Sequence, residues 1–521
     1  VDLPEAARIY SSEVAAREYV AANSRVVVTS PGPAMNVLLI RPVPGNERFG
    51  LGPFFRIEPL GMEYVARALI NRGHQVDVLD LRFTRSVEFH LERHRPRVVG
   101  IACMHALEID DVLSLVGRIR RVAPEAFIII GGHAATAYPM PFRVSAVDAV
   151  CTDDGERGVP LLVDALDKGR GLSSVPGFLI RDGDEFIDTG SHQEPFDLDD
   201  VALPLRDPLE GHRKQYVCLQ YRPMWLIETA RGCPYRCSFC SVAPMFDRSV
   251  RERSIDSVCR DFAAVGPNVF VADDLFWHHE ARSFELAREL ARRGIRKRYL
   301  LVQSRVDLVA RHPSLLEAWR QVADLFDIFF GFEAGTDEGL ATLVKDTTVD
   351  RTEEALRVCR ELKYGITGNF VIDPDWDELD FERLWAFVDE NRLSRAGFTI
   401  LTPLPGTPYF EQMRSRIRAE SWSQFDMHHL LWEPKLGPRR FFELYCETWH
   451  RSVLNLRGEK KWWKWIRQAR ARDLLFLASL IHRTQSMMKP ESYLAEHRLV
   501  EAPFDVAAPP PCEDPRALRL A

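Results

Sequence analysis

Three cysteines in residues 229–240, TARGCPYRCSFC, are spaced to act together: Cys233, Cys237 and Cys240, a C-x3-C-x2-C pattern. Three thiolates can hold three corners of a [4Fe–4S] cluster and leave the fourth iron open to a small chelating ligand. A structural zinc ion would use the same residue type, but it takes a fourth protein ligand at matching spacing. No second Cys/His cluster lies nearby in the sequence. The triad follows a strand-like WLIET and precedes basic-aromatic sequence.

In that context the triad resembles the radical S-adenosylmethionine (SAM) superfamily. The resemblance implies that the open iron is chelated by the amino and carboxylate groups of SAM. It also implies that one electron from the cluster splits SAM to methionine and a 5′-deoxyadenosyl radical. An external electron donor such as flavodoxin or ferredoxin follows from that chemistry.

A cluster loop needs a scaffold. Between residues 216 and 410, six strand-like runs alternate with helical segments: WLIET, NVFVADD, RYLLVQSR, IFFGFEAG, ITGNFVID and GFTILTPLPG. Six βα units make a partial (β/α)6 barrel, the radical-SAM architecture. Barrel chemistry gathers at strand C-termini, and polar groups fall there: Asp273 and Asp274, Gln303 and Arg305, Glu333, then Asn369 and Asp373. SAM offers an ammonium, a carboxylate and a ribose diol, which acidic and amide side chains can meet. The resemblance places residues 272–274 at the methionyl ammonium and Glu333 against SAM. A plain strand-end cap is the competing reading for each.

Upstream, NVLLI, QVDVLDL, RVVGIAC, FIIIGG and VDAVCT alternate with amphipathic helices over residues 35–165. Short apolar strands in that alternation predict a parallel, doubly wound, Rossmann-like sheet. Ligands on such sheets sit beyond the strand C-termini, which points to the loops 41–58, 103–108 and 131–138. These loops resemble a cobalamin-binding domain. That family often carries D-x-H-x-x-G, its His below the cobalt; here the stretch is RIEPLG, with Arg56, Glu58 and Gly61 at those places. The resemblance then implies cobalamin with no protein imidazole below the metal, Glu58 standing where the His would be and Arg56 as a further neighbour of that face. Gly131, Gly132 and His133 match the loop along which the nucleotide tail runs. A flavodoxin-like domain that binds nothing is the other reading; its position directly before the cysteine triad favours cobalamin.

The remaining segments read as an N-terminal extension (1–34), a linker with one hairpin (166–215), a mainly helical C-terminal domain (411–500) and a disordered tail (501–521). Within the helical region, WSQFDMHHLLWE at 422–433 reads either as a packing lid on the barrel or as a wall of an apolar substrate pocket. EKKWWKWIRQARARDLLFLASLIHR, basic and tryptophan-rich, reads either as a solvated helix or as one suited to membrane headgroups.

The bulk properties set bounds. The 521 residues are 46% hydrophobic and 27% charged, with a net charge of −7, which argues against a nucleic-acid binder driven by phosphate contacts. The seven cysteines outside the triad are scattered and read as buried apolar residues rather than disulfide halves. No apolar run reaches the length of a membrane span, and the first residues lack the signal-peptide pattern. With a cluster that requires a reducing compartment, the expected place is the cytoplasm, with peripheral contact at the inner membrane face.

Taken together, these features resemble the cobalamin-dependent radical SAM methylases. FFGFEAGTDEGL, TGNFVIDPDWDELDFERLWAFV, ILTPLPGTPYF and MHHLLWEPKLGPRRFFELYCETW look like the hopanoid C-3 methylase group. The resemblance implies a C-methyltransferase that uses SAM twice, as methyl source for cobalamin and as radical source, to methylate an unactivated carbon of an apolar hopanoid. A cobalamin radical SAM methylase or cyclase acting on a peptide, antibiotic or other natural product is the alternative. A cobalamin sensor with an idle barrel is a further reading, against which the intact triad stands. A methylthiotransferase would need a second, N-terminal cysteine set, and only Cys103 and Cys151 precede the linker.

Overall fold

Strands joined by helical crossovers must pair in parallel, and a parallel sheet is stable only when helices cover both faces. In the computed structural model, which describes residues 34–43, 54–84, 86–194, 196–453 and 471–505, the sequence builds two such sheets. The first consists of β1 (Asn36–Arg41), β2 (Gln75–Asp80), β3 (Val98–Ala102), β4 (Phe127–Gly131), β5 (Ala149–Cys151), β6 (Phe178–Asp182) and β7 (Glu185–Asp188). Their order is β2-β1-β3-β4-β5-β6-β7, parallel through β5 and antiparallel after it. The order reverses between β1 and β3, which makes the crevice at their carboxyl ends the switch point. Helices α1 (Leu60–Asn71) and α4 (Gly155–Asp167) cover one face; α2 (Val87–His94) and α3 (Ile109–Val122) cover the other.

The second sheet is β8 (Trp225–Ile227), β9 (Asn268–Val271), β10 (Lys297–Ser304), β11 (Ala323–Glu333), β12 (Gly365–Ile372) and β13 (Ala396–Ile400). It runs in sequence order and is parallel throughout. All six expected runs are strands of this partial barrel. Helices α5 (Val349–Glu361), α6 (Glu378–Glu390) and α7 (Pro438–Val453) bury apolar faces on it, through residues such as Leu356, Phe381 and Tyr445. The free face of α1 is also buried. Leu60, Tyr64 and Ala68 pack with Leu226, Phe270, Tyr299 and Leu301 of β8–β10, so the two sheets share a core.

The structure corrects the expected segmentation in three places. The hairpin of the 166–215 linker is β6–β7, an extension of the first sheet rather than a free connection. Residues 411–500 are not a separate domain. Phe410, Ile417, Trp422, Phe425 and Trp432 join the core of the first sheet, while Leu430 and α7 join that of the barrel. Burial of each such side chain contributes about 1.5–3 kcal/mol, so this segment straps the sheets together. It follows that the aromatics of 422–433 are packing residues and not an open pocket wall. Phe504 lies with its ring 4.9 Å from Trp422 and 5.3 Å from Phe425, so the first residues of the segment expected as a disordered tail are packed on this core, and 506–521 lie outside the described residues. The basic, tryptophan-rich residues 459–467 and nearly all of the N-terminal extension lie outside the described residues. Among the described residues no helix is long and apolar enough to cross a membrane.

Candidate active site

β8 ends at Ile227 and the chain turns almost at once into the cysteine loop. Gly232 has φ +101°, and a Cβ there would run into the Ser249 carbonyl, so a glycine is needed at the entrance. The two acids after β9 brace this turn. Buried Asp273 accepts hydrogen bonds from the Thr229 N–H at 2.6 Å and the Thr229 hydroxyl at 2.5 Å. Burial pushes its pKa up to about 7. Asp274 accepts from the Gly232 N–H at 2.9 Å. The capping role weighed for both residues is present in the geometry. Half-buried Gln303 points its amide at the Asp273 carbonyl from 3.5 Å.

The far side of the loop is held from three elements. The Ser238 N–H donates to the Leu343 carbonyl at 3.2 Å, and the Tyr409 N–H donates to the Ser238 carbonyl at 3.0 Å. Arg305 comes from the end of β10. Its Nε donates to Asp307 at 2.7 Å, one terminal nitrogen to the Lys345 carbonyl, and the other lies 3.8 Å from Cys237 Sγ. Its guanidinium stacks on Tyr235 with Cζ 3.7 Å from the ring centroid. Arg305, expected as a SAM contact, is thus committed to the cluster loop. Glu333 ends β11 at φ +65° and pairs with Lys345 Nζ at 2.7 Å, both side chains buried. Holding a non-glycine residue in that conformation costs about 1–3 kcal/mol, the kind of strain that collects at functional sites. Lys345 was not among the sequence candidates, since no periodicity links it to Glu333.

The donor set fits a cluster. Cys233, Cys237 and Cys240 are free thiols on one loop. Burial, and then the charges of Cys237 and Cys233, push the Cys240 thiol up to about 11, so the three sulfurs feel one another. The other described cysteines are all buried, as expected of apolar fillers.

The carboxyl edge of the first sheet faces this loop. Gly132, just after β4, has φ +103°, and a Cβ there would stand 2.7 Å from the Cys103 carbonyl oxygen. Only glycine permits that close turn, which fits a loop along which a bulky tail must lie. His133 Nε2 is 2.7 Å from Ser241 Oγ, one residue beyond the last cluster cysteine. Burial, with His105 nearby, pushes the His133 pKa down to about 4, so the ring is neutral. At the other side of the edge, Arg231 pairs with Asp154 and Glu156 at 2.7 Å each. Gly406 has φ +83° and backs onto the Ala137 carbonyl, leaving no room for a Cβ.

One expectation fails here. Glu58 does not stand free in a lower-face position. Its carboxylate is buried, paired with Arg213, and accepts the Leu226 N–H of β8 at 2.5 Å. Each oxygen of this carboxylate accepts a hydrogen bond within the junction between the sheets, so the group is buried there and not presented as a ligand at the sheet edge. Arg56 lies in a short strand, Phe55–Arg56, that pairs with Val217–Cys218. Gly61 is in the first turn of α1, where a Cβ would meet no protein atom within 4 Å.

Comparisons with known proteins agree with this architecture. Residues 54–163 match the B12 binding domain, and residues 227–388 match the radical SAM superfamily. The hopanoid C-3 methylase of Methylococcus capsulatus is 30% identical over 468 residues, 85% of this chain and 86% of that one. The bacteriochlorophyllide d C-12(1)-methyltransferase of Chlorobaculum tepidum is 29% identical over 311 residues, 57% of this chain and 63% of that one. Among solved structures, the cobalamin-dependent S-adenosylmethionine radical enzyme OxsB, with aqua-cobalamin and S-adenosylmethionine bound, superposes with a TM-score of 0.66 at 17% identity, covering 89% of this chain and 74% of that one. The fold, the cysteine loop facing the first sheet's carboxyl edge, and the near full-length likeness to a curated methylase lead to one assignment: the chain belongs to the cobalamin-dependent radical SAM methylases, enzymes that join a B12-binding domain to a radical SAM barrel.

Proposed function

We propose that this enzyme methylates an unactivated carbon of a hopanoid, at C-3. The observation that carries the reading is the 30% identity to a hopanoid C-3 methylase across 86% of that protein's length. When bound, the cluster and SAM supply a carbon-centred radical that removes hydrogen from the substrate, and cobalamin supplies the methyl group. The chain's own residues then have the following parts. Cys233, Cys237 and Cys240 hold the cluster. Asp273 and Asp274 fix the turn into the cluster loop, and Glu333 with Gln303 stands at the strand ends where SAM's polar groups need partners. Gly131, Gly132 and His133 line the route of the cobalamin tail, with Arg56 in the short strand Phe55–Arg56 and Gly61 in the first turn of α1 on the segment after β1. An sp3 C–H bond offers no handle for acid–base catalysis, so the protein's work is to position and to exclude water.

The test is expression in a bacterium that makes hopanoids but does not methylate ring A. Lipid mass spectrometry is expected to show a hopanoid heavier by one methyl group, with fragmentation placing it on ring A. Absence of that product from cells whose enzyme carries iron and cobalamin overturns the hopanoid assignment. A hopanoid stays in the bilayer, so we place the enzyme at the inner membrane face, with Lys460, Lys461, Lys464 and Arg467 meeting anionic headgroups. Each basic residue there contributes about 1 kcal/mol, screened by salt. In the same cells the protein is therefore expected to sediment with membranes at low salt and to be released at high salt.

Gly132 gives a second prediction. Gly132→Val puts a side chain against the Cys103 carbonyl in a conformation that L residues rarely adopt. Anaerobic titration with hydroxocobalamin is expected to show affinity at least about tenfold weaker, equivalent to about 1.4 kcal/mol, with iron content unchanged. Equal affinity would remove this loop from the cobalamin site.

A further inference from the structure

The guanidinium of Arg305 is an unusual neighbour for a metal-binding sulfur. The residue is 5% exposed, and every side of it is fixed. Asp307 takes its Nε at 2.7 Å, the Lys345 carbonyl takes one terminal nitrogen, and the Tyr235 ring lies under its plane at 3.7 Å. Asp307 is itself held by the Tyr235 hydroxyl at 3.1 Å and by Arg311. What remains is the second terminal nitrogen, 3.8 Å from Cys237 Sγ. Tyr235 belongs to the cysteine loop itself, midway between Cys233 and Cys237. The loop and the arginine therefore fix each other.

We propose that Arg305 is a charged hydrogen-bond donor to the Cys237 sulfur and that it raises the reduction potential of the cluster; this rests on the three-cysteine cluster reading above. The redox step is the uptake of one electron from a reduced low-potential donor protein, which adds one negative charge to the cluster and its thiolates and moves no proton. A buried cation beside one of those thiolates stabilises the more negative, reduced form. Hydrogen bonds to cluster sulfurs, net charge and burial are the levers that set such potentials. Arginine suits the role because it stays charged when buried and its planar fork can satisfy a carboxylate, a carbonyl and a sulfur together. In this chain the electron that starts the radical reaction thus enters a site with a built-in positive charge, before SAM adds its own sulfonium.

Two measurements test this, both without substrate. In wild-type enzyme reconstituted with iron and sulfide and labelled with 15N-guanidino arginine, pulsed electron paramagnetic resonance of the reduced cluster is expected to show a 15N coupling. That coupling should vanish in Arg305→Lys. In a redox titration followed by the same resonance, Arg305→Gln is expected to bind iron fully yet be harder to reduce. The reduction equilibrium constant should fall about tenfold, a shift of about 59 mV to more negative potential for one electron. Arg305→Lys keeps the charge and should recover part of the shift. No 15N coupling in an iron-replete wild type, or an unchanged potential in iron-replete Arg305→Gln, overturns the inference. Where Arg305→Gln fails to hold iron, the wild-type coupling decides alone. A wild-type chain that takes up no iron overturns the cluster reading, and this inference with it.

Discussion

Cys237→Ala is expected to leave the chain with at most residual iron after anaerobic reconstitution, and to reduce 5′-deoxyadenosine formation to background. A three-cysteine cluster has only three protein anchors, so removing one leaves two irons without a protein ligand. Cys237 is the middle cysteine of the triad and the one that Arg305 approaches. Its loss therefore removes an anchor and leaves the arginine without its sulfur partner. A buried cysteine otherwise behaves as a small apolar residue, so the fold should tolerate the change. Cys359→Ala is the control, since Cys359 is buried in the barrel core and outside the loop; it should retain full iron and turnover. Iron is read by colorimetric assay and visible absorbance, and deoxyadenosine by mass spectrometry after chemical reduction with SAM. Full iron and turnover in Cys237→Ala would sink the cluster assignment.

The barrel was legible because each of its strands is a short apolar run ending in polar residues, and the parallel order follows directly from helical crossovers. The cysteine triad was legible because metal-ligand chemistry ties residue type to spacing. What the sequence concealed were contacts between distant segments. The strap within 411–432 looked like part of a helical domain because Trp422, Phe425 and Trp432 carry no sign of which core they enter. The β6–β7 hairpin looked like a linker because its strands are short and rich in turn residues, and only pairing with β5 shows that it belongs to the sheet. Lys345 and Arg305 illustrate the same limit at the site. Their residue types say "charged", and only the fold shows that one neutralises Glu333 while the other lies against Cys237.

Glu58 is the sharpest case, and it carries the second large effect. Glu58→Ala is expected to destabilise the protein by about 3–5 kcal/mol, the usual cost of leaving one member of a buried ion pair alone. The geometry gives the reason. The Glu58 side chain is fully buried between α1 and β8, paired with Arg213, with Arg206 Nε 3.6 Å away. Arg213 lies 3.8 Å over the Trp225 ring and is itself buried, so without Glu58 its charge keeps only the exposed Glu210, 3.5 Å from its Nε, as a counter-ion. The Leu226 N–H also loses its acceptor within β8. Thermal and urea unfolding should both show the loss. The double variant Glu58→Leu, Arg213→Met should recover much of it, because apolar side chains of similar size can replace a buried ion pair at little cost. A residue beneath cobalt would behave differently. Its removal would change the resonance spectrum of bound cob(II)alamin and leave stability nearly intact. Glu58→Ala is expected to do the reverse: lower stability, and an unchanged cob(II)alamin spectrum in the fraction that remains folded. An unaltered unfolding midpoint would refute the junction role.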